Sequence, residues 1–481
     1  MKNNTFARSV LCAVITCHVA FPAFATLVDY WPLEETAGTV APNSVAGGTD
    51  ATLFTGAAWV SDPQRGQVLE FDGVAGYADA GTIPVLDLAS DFTWAFWSMN
   101  TQAASNNVVV GNRYAPGNVE FTPREFIKFT NQQFEWQHDG IGENVNYPDM
   151  PIGQWIHNMV VKDGNTLISY RDGLVNGVAT ITAGPINPQP LYFGGNTTVE
   201  DWGGRLDQVA LWTDALPTSS AVGLAKGTYT PPTAPRTSST PSKRTVLSDT
   251  FSAGIDGNWN ATNRGLENNA AAGYNPPDTS AGTLSLSGTT TQQYWFGNSI
   301  ESKQRFSSAL ETTITVDRLS LSGTGTAYRS SLWVLGDDAH YLHFSQNIGE
   351  NGWSWNARDD GGVGTLNPTG SGNNIVSLDS LDTDPGQHQL QLQVIPTGTV
   401  GELNIFLYLD GTLVAGEGFS AFPTDFQVVL TGQARAIGDS VNAVFDNLLV
   451  EQVPEPSSAA LLLITTAAAG AMQCRRRSRI R

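Results

Sequence analysis

The sequence predicts an all-β protein made of two antiparallel β-sandwiches, and three observations carry that prediction. Apolar residues alternate with a period of two along many short runs, Asp-Gly pairs separate those runs, and no helical stripe exceeds about two turns. Phe92, Trp94 and Phe96 point one way while Thr93, Ala95 and Trp97 point the other, which suits a strand between two packed layers. Leu390, Leu392 and Val394 alternate with Gln389, Gln391 and Gln393, a strand with one wet face. Asp-Gly at 72–73, 163–164, 172–173 and 410–411 supplies hairpin turns. Thr218 to Lys226 reads as one short helix.

Composition agrees. The chain has 481 residues, 49 of them glycine, with 10% aromatics, and that aromatic content separates turn-rich β-structure from disorder. It carries 45 Asp+Glu against 25 Lys+Arg, a net charge of -20. Lys2, Arg8, Arg475, Arg476, Arg477, Arg479 and Arg481 all lie in the ends, so the body is more acidic still. Nucleic-acid binding through a basic face is excluded, because phosphate contacts need clustered Lys and Arg.

The chain divides into five parts. Residues 1–25 combine Lys2 and Arg8, an apolar run from Val10 to Phe24, and small residues at Ala23 and Ala25, the pattern of a secretory signal peptide. Residues 26–226 form a first domain and 245–453 a second. Between them, 227–244 holds Pro231, Pro232, Pro235 and Pro241 without apolar periodicity, which predicts an extended linker. All three cysteines lie in the ends, Cys12 and Cys17 at the start and Cys474 near the terminus, so the body uses neither disulfides nor thiolate metal sites.

The last part, 454–481, reads Pro454-Glu455-Pro456, an apolar stretch from Ala459 to Met472, then the arginines. The stretch is shorter than the ~20 residues of a spanning helix, although flanking Ser457, Ser458 and Gln473 extend it. This tail resembles the PEP-CTERM sorting signal of Gram-negative bacteria. The resemblance implies an exosortase that recognises Pro454, Glu455 and Pro456, with Arg475, Arg476 and Arg477 as the cytoplasmic stop, and delivery to the cell surface, outer envelope or extracellular matrix. An ordinary C-terminal membrane anchor has the same charge arrangement, and both readings leave the body outside the cytoplasm.

The two halves also resemble each other. One reads His157-x-x-Val160, then Tyr170-Arg171-Asp172-Gly173; the other reads His388-x-Leu390-x-Leu392, then Tyr408-Leu409-Asp410-Gly411. A second aspartate follows each hairpin at similar spacing, Asp207 in Leu206-Asp207-Gln208-Val209 and Asp446 in Phe445-Asp446-Asn447-Leu448. Two motifs at matched spacing point to one fold used twice. His157 and His388 fall at equivalent places, which favours structural roles.

Tyr30-Trp31, Leu69-Glu70-Phe71-Asp72-Gly73, Trp155-Ile156-His157, Tyr192-Phe193-Gly194-Gly195 and Gly204-Arg205-Leu206-Asp207 followed by Trp212 resemble a laminin-G-like domain of the concanavalin A-like lectin/glucanase superfamily. The second half is similar more loosely, through Leu247-Ser248-Asp249-Thr250-Phe251 and the Asp410-Gly411 and Asp446 motifs. The implied fold is two jelly-roll β-sandwiches. That fold carries lectins, hydrolases and inert spacers, so it leaves function open.

Glycosidases of this superfamily place their carboxylates on one strand as Glu-x-Asp-x-x-Glu, which brackets a glycosidic bond. That pattern is absent, and Glu301, Glu311, Glu350 and Glu402 are isolated. No Gly-x-Ser-x-Gly elbow, His-Glu-x-x-His helix or phosphate-cradling loop occurs either. His340 and His343, three apart, face opposite sides of a strand and cannot share a metal without a bulge. Asp207 and Asp446 are lone acids in apolar strands, where a buried carboxylate needs a cation or donors. The resemblance implies a structural Ca²⁺ at each, with backbone partners near Asp29 to Trp31 and Asp249 to Phe251; backbone capping or edge exposure is the alternative.

The remaining signal is aromatic. Trp353 and Trp355 alternate to one face beside Asn347, Asn351 and Asn356, and with Tyr294 and Trp295 they suggest a platform for sugar rings. Burial in the sandwich core is the competing role. The leading expectation is an exported, non-catalytic protein that binds polysaccharide or matrix glycan. A polysaccharide hydrolase or lyase with an atypical site in the second domain, and a passive envelope component, are the alternatives. Strong acidity favours neutral sugars or Ca²⁺-dependent binding.

Overall fold

A computed structural model describes residues 26–454, apart from positions 83–88, 104–105, 115–118, 121, 123, 148, 185–189, 196–199, 238–241, 263–273, 292–294, 361–373, 379–380 and 382. The predicted signal peptide and the sorting tail from Glu455 onward lie outside the described residues, as does Tyr294. Among the described residues no helix is long and apolar enough to cross a membrane.

The alternating runs pair into four antiparallel sheets, stacked two by two. The back sheet of the first sandwich runs Leu174–Thr180, Thr166–Arg171, Ile156–Asp163, Phe92–Asn100, Gly203–Trp212, Gly66–Asp72, Ala57–Asp62, with Leu27–Trp31 also paired to Gly203–Trp212. Its front sheet runs from Ile141–Asn146 through Gln133–His138, Glu125–Phe129, Val110–Gly111, Pro190–Phe193, Ala78–Thr82 and Ala51–Leu53 to Val40–Ala41.

The second sandwich repeats the plan. Its back sheet runs Thr412–Phe419, Leu403–Leu409, His388–Pro396, Thr312–Thr324, Ser440–Gln452, Arg244–Asp249, with Leu284–Thr289 added on Ser440–Gln452. Its front sheet runs Trp259–Thr262, Phe296–Ser302, Asp425–Ala434, Tyr328–Asp337, His340–Ile348, Gly352–Asp359, Asn374–Ser377. In both back sheets a three-strand meander ends at an edge, and the domain's last strand lies two places inside it.

Local geometry repeats with the topology. Both hairpin aspartates are left-handed, Asp172 at φ 52° and Asp410 at φ 50°, each followed by a left-handed glycine, as a tight two-residue turn requires. Asp207 and Asp446 each precede a left-handed bulge residue, Gln208 at φ 53° and Asn447 at φ 51°. One detail of the repeat is corrected. Asp172 accepts the His157 N–H and donates to the His157 carbonyl, whereas Asp410 makes the same pair of bonds with Gln389. Gln389, not His388, is therefore the counterpart of His157. A slip of one residue reverses the facing: His157 sits outside the sheet against Trp97, and His388 inside against Trp353.

Each sandwich has its own core. Trp31, Phe71, Trp94, Phe129, Trp136 and Trp202 fill the first, and Trp259, Leu342, Trp353, Leu392, Phe419 and Phe445 fill the second. Phe92, Trp94 and Phe96 face the first core, as their alternation requires. Ala95 on the opposite side joins a third cluster with Met159, Val161, Tyr170, Trp212, residues of the helix Thr218–Ala225, and Phe406 of the second sandwich. Of the predicted linker 227–244, Pro231 and Ala234 are buried, and the Pro235 carbonyl accepts from Ser220 Oγ at 2.7 Å.

The two meander edges face each other. Gly418 on Thr412–Phe419 lies so close to Leu174–Thr180 that an added Cβ would sit 2.8 Å from Leu174 Cβ and from the Val175 carbonyl. Asn404, fully buried, accepts the Val175 N–H on Oδ1 at 2.7 Å and donates from Nδ2 to the Gly173 carbonyl at 3.1 Å. Its amide thus takes the place of a missing neighbouring strand. Beside this junction a cleft of about 560 Å³ is lined by Tyr170, Thr218, Arg236, Gln393, Phe406 and Tyr408.

Candidate functional site

The strongest site candidate is the outer side of the second sandwich's front sheet. Alternation sends Leu332, Val334, Leu342 and Phe344 into the core, and it sends Arg329, Ser331, Trp333, Tyr341, His343 and Asn347 outward. Register then sets these outward residues side by side. Trp333 lies opposite His343 and Val429, Arg329 opposite Asn347 and Gln433, and His343 opposite Asn356.

The rings form a stack. Trp333 lies parallel to His343 with centroids 4.3 Å apart and tilts against Tyr341 at 5.3 Å. Trp333, Leu335, Tyr341 and Val429 make a small apolar cluster separate from the core. His343 Nδ1 meets Ser345 Oγ at 2.8 Å, and burial first, then the Arg329 charge, pushes its pKa well below the ordinary imidazole value. It is neutral at physiological pH.

Polar atoms around the stack lack partners. Trp333 Nε1, Asn347 Oδ1, Asn356 Oδ1 and Thr431 Oγ1 are buried without a hydrogen bond. Buried polar groups are usually paired, so several unpaired atoms on one face suit a ligand offering donors and acceptors around a flat body. Trp295 stands at the end of this face, with the Arg329 guanidinium 4.2 Å from its ring.

Trp353 and Trp355 do share one side, as predicted, but it is the core side. They are 1% and 5% exposed within the main cluster of the second sandwich, so they form no surface platform. The strand Gly352–Asp359 offered aromatics to the core and amides to the outside, the reverse of the expected assignment. The residues missed were Trp333, Tyr341 and His343. Their signal was parity: Arg329, Trp333, His343 and Asn347 fall on matched sides of neighbouring strands.

The first sandwich holds a second polar recess on its front sheet. Lys128, 1% exposed, places Nζ 3.3 Å from Glu135 Oε1 and 3.0 Å from Glu200 Oε2. One buried cation thus neutralises two carboxylates. Arg113 stacks over Tyr114 and Phe126 at 4.2 and 4.4 Å and pairs with Glu120.

The expected calcium positions differ from each other. Asp207 is buried, and its cation is Arg65, whose Nε lies 2.6 Å from Oδ2 while its guanidinium stacks over Trp97 at 4.2 Å. Burial still raises the Asp207 pKa to about 6. With Arg65 seated there, the residues do not fit a metal ion. Asp446 is half-buried and faces Asp317 across the strand pair, an arrangement of like charges that a cation would relieve. Among the described residues no group of three or more His, Cys, Asp or Glu gathers into a metal site.

Fold and site together define a tandem β-sandwich protein with an aromatic, amide-rimmed face on its second unit. More particularly, residues 72–220 match the family model of the concanavalin A-like lectin/glucanases superfamily. No curated protein matches the chain. Among solved structures, it is similar to domain 4 of AbnA, an extracellular arabinanase from Geobacillus stearothermophilus in complex with arabinotriose. That likeness has 13% identity and TM-score 0.35 over 42% of this chain and 100% of that one. The binding domain of Paraclostridial Mosquitocidal Protein 1 matches at 13% identity and TM-score 0.35, over 82% of this chain and 92% of that one. An endo-1,3-β-glucanase from Streptomyces sioyaensis matches at 15% identity and TM-score 0.32, over 46% and 100%.

Proposed function

We propose that the chain is an exported, non-catalytic glycan-binding protein of the cell surface or extracellular matrix, and that it grips polysaccharide on the Trp333, Tyr341 and His343 face. One observation carries this reading: a ring stack bordered by buried, unpartnered amide, indole and hydroxyl atoms. Sugar rings present apolar faces to aromatics and hydroxyls to amides, and this face carries both, on rings that are 5–7% exposed. The superfamily matched by residues 72–220 includes lectins and glucanases by its description, which supports a carbohydrate role. Export rests on the pattern in 1–25, and sorting by an exosortase, with transient membrane contact, rests on the pattern in 454–481.

The test is a glycan array with the wild-type protein, Trp333→Ala and Tyr341→Ala. Saturable binding whose affinity per folded molecule falls at least tenfold in both variants supports the reading. Shortening of the polysaccharide on incubation would make the protein a hydrolase or lyase, and no binding at all would leave an envelope scaffold. Calcium enters this proposal at Asp446 and Asp317 alone. Chelator should then lower the melting temperature of the wild type and leave Asp446→Asn unmoved.

A further inference from the structure

We infer that the glycan held by this face carries an acidic sugar, whose carboxylate pairs with Arg329. The inference rests on the reading above and specifies its ligand. Arg329 is 3% exposed. Its Nε donates to Gln433 Oε1 at 2.6 Å, and its guanidinium lies against Trp295. Among the described residues no carboxylate lies within ion-pair distance of it, and Gln433 is the one hydrogen-bond partner of its side chain.

Arg65, Lys128 and Arg318 differ. Arg65 has Asp207, Lys128 has Glu135 and Glu200, and Arg318 has the Asp384 carbonyl and the nearby charges of Asp384 and Asp410. Tyr341 is the one titratable neighbour favouring the charge on Arg329, and burial draws the Arg329 pKa down to about 9. A buried guanidinium without a counter-charge is costly, so the site is incomplete until an anion arrives. A planar carboxylate matches the fork of a guanidinium in a bidentate pair.

The neighbours select a sugar acid over a bare anion. Asn347, directly across the ladder from Arg329, has an unpartnered buried Oδ1, and so does Asn356. Those oxygens need donors, which a carboxylate lacks and sugar hydroxyls supply. A uronic acid residue offers a carboxylate, hydroxyls and a ring face for Trp333 within one unit. The net charge of -20 opposes a continuous polyanion, so isolated uronic acid residues in a mostly neutral glycan fit best.

Calorimetric titration with a panel of uronic-acid-bearing oligosaccharides, each paired with its carboxyl-reduced form, tests this on the full chain. The wild type should prefer at least one acidic member over its reduced partner by tenfold or more. Arg329→Gln should erase that preference and melt at or above the wild-type temperature. Equal affinity for acidic and reduced forms, or a preference that survives Arg329→Gln, overturns the inference while leaving the glycan reading intact. Absence of binding to every member and to neutral glycans alike, in wild type and Trp333→Ala, overturns both.

Discussion

Truncating Trp353 to alanine removes one of the largest side chains buried in the second sandwich. Unfolding in denaturant should show a loss of about 3–5 kcal/mol, and ligand affinity per folded molecule should hold. Replacing Arg65 by methionine leaves Asp207 buried without its cation and should cost about 3–5 kcal/mol, with the Asp207 pKa rising further. Protonation gives a third expectation. Burial holds the His157 pKa at about 3, against an ordinary 6.5, so the folded state resists the proton that the unfolded chain takes up. The stabilisation present above pH 6.5 is lost as pH falls toward 3. Asp207, raised to about 6 from 3.8, acts oppositely, its contribution being lost as pH rises through 6. His343 adds to the acid loss. The melting temperature should therefore fall on acidification, and His157→Phe should shallow that fall. At this scale the sequence revealed that Asp207 needs a cation or donors. It concealed that the cation is Arg65, because a contact across 142 positions leaves no local pattern.

At the scale of elements, period-two alternation disclosed the strands and Asp-Gly disclosed the hairpins, since both signals are local. Alternation does not say which side of a strand meets the core when both sides are apolar. Tyr328–Asp337 offers Leu332 and Val334 to one side and Trp333 and Leu335 to the other, and the packing of the opposing sheet decides between them. The aromatic platform was therefore expected on Gly352–Asp359, whereas the aromatics outside the core stand on Tyr328–Asp337 and His340–Ile348 and are themselves largely buried. The meander edge gives an element-scale prediction. A side chain at Gly418 would collide with Leu174 and the Val175 carbonyl, so Gly418→Val should separate the two sandwiches without unfolding either. Solution scattering would register the change as a larger radius of gyration. Asn404→Ala strips the partners from the Val175 N–H and the Gly173 carbonyl, and should cost about 1–3 kcal/mol.

For the whole molecule, repeat spacing exposed a duplicated fold, and the matching back sheets bear it out. Docking of the two copies had no such signature, because glycines and one asparagine at an edge look like any turn-rich sequence. Leu174–Thr180 and Thr412–Phe419 are the unfinished borders of their sheets, and each is shielded by the other. Produced alone, either half would present an open row of amides and carbonyls to its neighbours in solution. Anyone wanting the second half alone would first have to repaint that border with lysine or proline. Left as nature wrote it, the second sandwich would pair with copies of itself.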